Sequence, residues 1–430
     1  MSLLYGFFFS IFALLYLPIF FLKGKAKGGV GSRFGRVDAN TIEKLKNQKV
    51  LWIHAVSVGE VALAVRLMNH WRGLFPGKRF VLTTTTVTGF EVASRSVRPE
   101  DTVLQFPVDF RFSVRRFVRS VHPEAVVFME TEIWPNLIWE LSSRKIPFMI
   151  LNGRISDKAI GKYRPLQFFL KPLLKRFTGI GVQDETMRSR FLELGADPAK
   201  VEVTGNLKFD WEPPKEIPTE TQAVLQRLVK PGQFLLIAAS THEGEEGILL
   251  GIFEKIRKNH PGFRLLLAPR HPERLESVEK LAMGRGIRLK RVFSSPQNGY
   301  DEGSADPWLL DRMGVLAHLY GAADAVFVGG SLVPTGGHNP VEPAFYGKPV
   351  SFGPYMNNFS DMSRLFLSGG AALESAGAEE LEKNLVFWIQ NPEERRNLGD
   401  RARQLVAGHR GALGKNTGLF ASCAKGDFLK

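Results

Sequence analysis

The sequence predicts an α/β protein of two doubly wound parallel-sheet domains preceded by an N-terminal membrane-anchor helix. Three observations lead there. Short apolar runs alternate with amphipathic helical stretches along most of the 430 residues, as they do when strands are wound by helices. A polar, proline-rich stretch from Trp211 to Thr219 divides those runs into two series, and a chain this long exceeds one compact core. Finally, Leu3 to Leu22 is uncharged and about the length that crosses a hydrocarbon core as a helix.

The basic residues Lys23, Lys25, Lys27, Arg33 and Arg36 follow the first apolar run, whereas a cleaved signal peptide begins with basic residues and ends in a small-residue site. Residues 1–24 therefore read as an uncleaved anchor, and the positive-inside rule holds the following body on the cytoplasmic side. Pro18 and the many Phe residues leave open whether that helix spans the bilayer or lies in one leaflet. The first domain, 35–210, is expected to carry strands at Val50 to His54, Phe80 to Thr84, Thr102 to Phe106, Ala125 to Met129, Pro147 to Leu151 and Gly179 to Val182. The second, 220–410, has candidate strands at Phe234 to Ala239, Arg264 to Ala268, Trp308 to Leu310, Ala325 to Val328 and Pro349 to Phe352. The linker falls near Asn206 to Thr219, and residues 411–430 are left as a C-terminal tail. Two such domains imply a ligand cleft between them, since parallel sheets bind at the carboxyl ends of their strands.

A balance of 57 Lys+Arg against 43 Asp+Glu gives a formal charge of +14, which favours anionic partners; no nucleic-acid motif is present. The single Cys423 excludes an internal disulfide and any cysteine-based metal cluster, and fits a reducing cytoplasm. Two stretches suit an anionic membrane surface. In FRFSVRRFVRS, Arg111, Arg115 and Arg119 recur along one helical face with Val114, Phe117, Val118 and Val121 on another. GKYRPLQFFLKPLLKRF likewise mixes Lys162, Arg164, Lys171, Lys175 and Arg176 with Leu166, Phe168, Phe169, Leu173 and Leu174. Each could equally be an ordinary helix packing its apolar face on the sheet.

The polar chemistry gathers where strands end. After Leu51 to Ala55, Ser57 and Glu60 have capping-box spacing; a carboxylate at a helix start is also held ionised at the sheet edge, as a general base would be. VVFMETEIWPN delivers Glu130 and Glu132 together, LNGRIS supplies Asn152 and Arg154, and VTGNLKFD brings Lys208 to the linker. In the second half, AASTHEGEE places Ser240, Thr241, His242 and Glu243 at a strand end, LLLAPRHPER does so for Arg270 and His271, and LLDRMGVL sets Arg312 and Gly314 before a helix. The run Gly336-Gly337-His338-Asn339-Pro340-Val341-Glu342-Pro343 follows a buried strand entering Gly329 and Gly330. Such a glycine turn and helix start offers backbone N–H groups to a phosphate, with Glu342 one turn in to accept from ribose hydroxyls. HExxH, DxD and GxSxG patterns are missing, which argues against a catalytic metal and a covalent serine enzyme.

Eight ordered segments, HAVSVGE, ETEIWPN, NGRIS, GNLKFD, STHEGEE, APRHPER, DRMGVL and GGSLVPTGGHNPVEPAFYGKPVSFGPYMNNF, make the chain resemble the 3-deoxy-D-manno-octulosonic acid (Kdo) transferases. These are membrane-associated enzymes of lipid A and lipopolysaccharide synthesis. The resemblance implies an inverting GT-B glycosyltransferase at the bacterial inner membrane, its catalytic domains on the cytoplasmic side. Its donor would be CMP-Kdo, its acceptor lipid IVA or a related lipid A precursor, and its active site would need no metal and no other cofactor. Carried onto matching positions, it implies Glu60 as proton acceptor, Glu130 and Lys208 as transition-state supports, and CMP contacts at Pro269, Arg270, Met313, Gly314, Val315, Asn339, Pro340, Val341 and Glu342. GGVGSRFGRVDAN departs from the Arg-Glu-Arg type of sequence expected after the anchor. Two other readings of the same residues are a GT-B transferase with a UDP-sugar donor and a membrane-tethered nucleotide-binding protein.

Overall fold

The computed structural model describes residue 5 and residues 30–213, 216–228, 230–294 and 306–424. The expected anchor, 1–24, lies outside the described residues apart from Tyr5. No helix among the described residues is long and apolar enough to cross a membrane. The chain divides into two compact units, 1–210 with 410–430, and 211–409.

The first unit contains β1 (Lys49–His54), β2 (Lys78–Thr84), β3 (Thr102–Gln105), β4 (Pro123–Met129), β5 (Phe148–Gly153), β6 (Gly179–Val182) and β7 (Val201–Val203). They pair in parallel in the order β3-β2-β1-β4-β5-β6-β7. Helices cover both faces, so its central strands are apolar throughout, and the two-residue alternation divides them between two cores. Val50, Trp52, Val126 and Phe128 join one core; Leu51, Ile53, Val127 and Met129 join the other.

The second unit contains β8 (Phe234–Thr241), β9 (Phe263–Pro269), β10 (Lys290–Arg291), β11 (Trp308–Leu309), β12 (Ala325–Val328), β13 (Val350–Phe352) and β14 (Ala372–Glu374). Its parallel order is β10-β11-β9-β8-β12-β13-β14. Strand order therefore reverses between β1 and β4 in one sheet and between β8 and β12 in the other. At such a switch point the connecting loops part and leave a crevice above the strand ends.

Three details bear on the expectations. Residues Ala412–Cys423 form a helix belonging to the first unit, where the sequence suggested a tail. Trp71, on the Val58–Leu74 helix, stacks on Phe420 with centroids 4.2 Å apart and donates from Nε1 to Thr417 Oγ1 at 2.9 Å. The Asp210 carboxylate accepts from the backbone N–H groups of Gly411 and Leu413. Second, the chain changes units at Asp210 and Trp211, inside the expected linker: the Leu207–Asp210 turn stays with the first unit, and the Trp211 indole packs against Phe345 and Tyr346 of the second. Third, Val114, Phe117, Val118 and Val121 of the Arg111–Val121 helix are buried in the first core, so that helix turns its arginines and the exposed Phe112 outward. In the second stretch Leu173 and Leu174 are buried, whereas Leu166 and Phe168 are exposed.

Candidate active site

The first switch point collects carboxylates. Three residues separate the end of β1 from the Val58–Leu74 helix, and Ser57 and Glu60 form a complete capping box. Glu60 Oε2 accepts from Val56 N at 2.9 Å; Oε1 accepts from Ser57 N at 3.2 Å and Ser57 Oγ at 2.8 Å. The group is buried. Burial, followed by the charge of Glu130, raises its pKa above the ordinary carboxylate value despite those donors.

Glu130 is the first residue after β4 and has φ +56°, a left-handed conformation that costs a non-glycine residue roughly 1–2 kcal/mol. Its N–H donates to Leu151 O at 3.0 Å, which keeps the turn attached to the sheet. Two residues on, Glu132 Oε2 accepts from Trp134 Nε1 at 2.8 Å. Burial, then the charge of Glu60, pushes the Glu132 carboxyl up to about 8, with a smaller push from Glu130. Sequence reasoning treated Glu132 only as a companion of Glu130; its coupling to Glu60 requires β1 and β4 to be neighbours. Behind this group Trp134 packs on Phe106, and Phe106 stacks on the buried His54 with centroids 3.8 Å apart. Burial holds that imidazole down to about 3, so it is neutral. Arg33 Nη2 donates to Thr85 O at 2.5 Å, bracing the loop after β2.

Lys208 sits half-buried on the Leu207–Asp210 turn. The Asn152 side chain at the end of β5 accepts from Leu207 N at 2.9 Å, and Leu207 O accepts from Arg66 Nη1 at 3.2 Å. Asn416, on the C-terminal helix, accepts through Oδ1 from Thr204 Oγ1 at 3.1 Å. Asn152 is itself left-handed, φ +58°, so two non-glycine residues at strand ends of this crevice hold strained backbones, as functional sites often do.

In the second unit a cavity of about 140 Å³ is lined by Ser240, Pro269, Arg270, Met313 and Gly314, among others. The ends of β8, β9 and β11 thus bring together four of the expected nucleotide contacts. The Arg270 guanidinium has no hydrogen-bond or carboxylate partner among the described residues, whereas Arg312 pairs with Glu220 and stacks over Phe293 at 4.1 Å. Val315 is buried in the core beneath. Asn339, Pro340, Val341 and Glu342 are outside the lining of that cavity. They begin the short Val341–Phe345 helix, where Asn339 Oδ1 accepts from Val341 N at 3.2 Å. Val341 is fully buried, so its side chain is core. Glu342 is half-buried near Tyr320 and Tyr346, whose hydroxyl pKa values its charge helps to raise after burial itself.

The glycine turn after β12 differs from the open phosphate cradle expected. Glu245, fully buried in the first turn of the Glu245–Asn259 helix, already fills the backbone donors. Its Oε2 accepts from Gly330 N at 2.7 Å and His242 N at 2.9 Å; its Oε1 accepts from Ser331 N at 3.0 Å and Leu332 N at 2.9 Å. Glu246 beside it accepts from Thr241 Oγ1 at 2.9 Å and from both terminal nitrogens of Arg274. The sequence pattern singled out Ser240, Thr241, His242 and Glu243 in this segment and passed over these two glutamates; their burial becomes visible only once β12 lies beside β8. The His242 and His338 rings stack, with Nε2 atoms 2.9 Å apart. Burial, then His242, Arg270 and His271, hold His338 down to about 4. One imidazole must donate to the other, and Arg270 lies near enough to contribute to that field, which links the glycine turn to the cavity residues. Among the described residues no group of three or more His, Cys, Asp or Glu is arranged to hold a metal.

Two seven-stranded parallel sheets wound by helices, each with polar residues at its switch point, define a GT-B-like α/β protein. Solved structures share this fold: a UDP-GlcNAc 2-epimerase from Neisseria meningitidis, 12% identical with a TM-score of 0.58, covers 87% of this chain and 100% of its own. A glycosyltransferase from Rickettsia africae, 13% identical with a TM-score of 0.58, covers 88% and 99%. The family model for 3-deoxy-D-manno-octulosonic-acid transferase (kdotransferase) matches residues 29–211. A 3-deoxy-D-manno-octulosonic acid transferase from Haemophilus influenzae is 35% identical over 364 residues, 84% of each chain. This chain belongs to the Kdo transferase family of glycosyltransferases.

Proposed function

We propose that the chain moves Kdo from CMP-Kdo onto a sugar hydroxyl of lipid IVA or a related lipid A precursor, with inversion, at the cytoplasmic face of the bacterial inner membrane. The observation that carries this reading is Glu60: a buried carboxylate fixed by three donors at a switch point, with its pKa raised by burial and by Glu130. A proton acceptor works best when its pKa approaches the working pH. Glu60 takes the proton of the acceptor hydroxyl as that oxygen attacks the anomeric carbon, and the ketosidic bond breaks with its electron pair passing to the CMP phosphate. Glu130 and Lys208 stabilise charge around the attacked centre. Arg270, a guanidinium without an internal partner, suits the phosphate as a two-pronged donor. Pro269, Met313 and Gly314 shape the cavity around it, and Val315 sets that loop from below. Asn339, Pro340 and Glu342 meet the nucleoside, Val341 contributing through its backbone alone. In this reading Arg270 and backbone donors stabilise the departing phosphate, so no divalent ion is required.

The basic residues Arg115, Arg116 and Arg119, all exposed, supply attraction to an anionic leaflet. Purified full-length chain is to be incubated with a tetra-acylated lipid A precursor and either CMP-Kdo or UDP-sugars, and the product weighed by mass spectrometry. A mass gain of whole Kdo units is expected with CMP-Kdo; transfer only from a UDP donor would sink the proposal.

A further inference from the structure

A second cavity, in the first unit, lies away from its switch point. About 520 Å³ in volume, it opens between the Arg111–Val121, Pro135–Ser143 and Gln167–Leu174 helices. Its lining is divided chemically. Arg111 and Arg176 supply two cations, while Trp139, Pro172 and Leu173 supply an apolar wall. Neither arginine has a hydrogen-bond or carboxylate partner among the described residues, and the lining carboxylate, Glu140, is paired with Arg144 at 2.6 Å. Two unneutralised arginines beside an apolar slot match an amphiphile with an anionic head.

Three further observations indicate which amphiphile. Phe168, 77% exposed, and Leu166, 47% exposed, project from the segment that also supplies Pro172 and Leu173, and add exposed apolar surface beside the slot. The adjoining Arg111–Val121 helix carries four arginines and no acidic residue, a field that attracts an anionic leaflet. Tyr5, from the apolar run expected to be the membrane anchor, stacks on Phe169 at 5.7 Å and meets the edge of Trp139 at 5.9 Å. Its hydroxyl donates to Asp109 Oδ2 at 3.1 Å. Tyr5 therefore touches the wall of this cavity at Trp139.

We propose that the cavity is a binding site for a bilayer glycerophospholipid with a net anionic headgroup. Arg111 and Arg176 hold the phosphodiester, Trp139 and Leu173 cover the first methylenes, and Phe168 and Leu166 enter the leaflet beside it. This deepens the membrane placement proposed above by giving it a lipid contact separate from the reacting acceptor.

The test uses the full-length chain in neutral detergent, titrated with phosphatidylglycerol or phosphatidylcholine and read by native mass spectrometry. Phosphatidylglycerol is expected to be retained, phosphatidylcholine not. Arg111→Ala with Arg176→Ala should weaken that retention roughly 30-fold, on the scale of two basic side chains near an anionic headgroup. Lys280→Ala with Arg288→Ala removes the same charge from exposed positions of the second unit and should leave retention unchanged. Ser143→Trp fills the exposed mouth of the cavity without altering charge and should weaken retention comparably. Equal retention of both lipids, full displacement by millimolar inorganic phosphate, or wild-type retention by Ser143→Trp would overturn the site. Transfer to the lipid A precursor is measured in parallel: an unchanged acceptor KM in Ser143→Trp supports a separate contact, whereas a raised KM would make the cavity part of the acceptor site and overturn the proposal. If no transfer occurs from CMP-Kdo but phosphatidylglycerol is retained selectively, the functional reading fails and the cavity stands.

Discussion

Replacing Glu245 by Gln should loosen the glycine turn after β12 without changing its shape. In the native protein four backbone N–H groups, those of His242, Gly330, Ser331 and Leu332, converge on one buried carboxylate at 2.7–3.0 Å. A glutamine keeps one acceptor oxygen and turns an NH2 group toward the other two donors, whichever way the amide is flipped. Hydrogen bonds to a charged acceptor contribute about 1.5–3 kcal/mol each, so losing two costs about 3–6 kcal/mol locally. The chain has two units, and a single global unfolding energy is not defined for such a protein. Local amide exchange is the better measure. Followed by mass spectrometry, exchange in a peptide covering residues 329–332 should accelerate by roughly 100-fold or more, while peptides of the first unit keep their rates. The same variant should bind CMP more weakly, because this turn leads into His338 and Asn339. Native exchange rates at 329–332 in a folded variant would refute the account of Glu245 as their shared acceptor.

Other outcomes follow from the same geometry. Glu60→Gln keeps an acceptor for the capping box and should stay folded yet lose about 100-fold to 10,000-fold in transfer rate; a loss under tenfold would leave Glu60 as a cap alone. The acid limb of the pH–rate profile should lie above the ordinary carboxylate range, since the folded Glu60 pKa is raised, and residual turnover of Glu130→Gln should show that limb moved to lower pH. Asp109, buried and accepting from Asn136 N and Leu137 N, has its carboxyl pushed up to about 7, chiefly by burial. A group protonated more readily in the folded state contributes stability below its unfolded pKa, near 4, and that contribution disappears as pH rises through 7. Melting temperatures of the first unit should therefore fall between about pH 4 and 7 through this group and level off above that, and Asp109→Asn should flatten that fall. Phe420→Ala removes the ring stacked on Trp71 and should destabilise the first unit by about 3–5 kcal/mol, seen as faster exchange in the Val58–Leu74 helix.

Strands buried on both faces were legible in the sequence because they are unbroken apolar runs, as at Leu51 to Ile53 and Val326 to Val328. The strands without a signal, β7, β10 and β14, are two or three residues long and stand at or next to sheet edges. Lys290–Arg291 carries no apolar residue at all. Their pairing is imposed by the neighbouring strand. The C-terminal helix was missed for a related reason: Gly414 and Gly418 interrupt its pattern, and its stability comes from Trp71, Thr204 and Asp210, far away in sequence. Around the candidate site, polar residues ending a strand stood out one by one, and the structure groups them by strand order. The contact between His242 and His338 spans 96 residues and depends on β8 lying beside β12, which no local pattern encodes.

The return of Ala412–Cys423 to the first unit has a consequence for synthesis. Trp71, the Asp210 carboxylate and the loop bearing Lys208 acquire their final partners only from residues translated after the whole of the second unit. A ribosome that stops anywhere before Ala412 would leave a chain whose Val58–Leu74 helix keeps an uncovered indole, an exposed apolar face of the kind chaperones and proteases recognise. The first unit is begun early and completed late, so a folded first unit certifies that the second has been made.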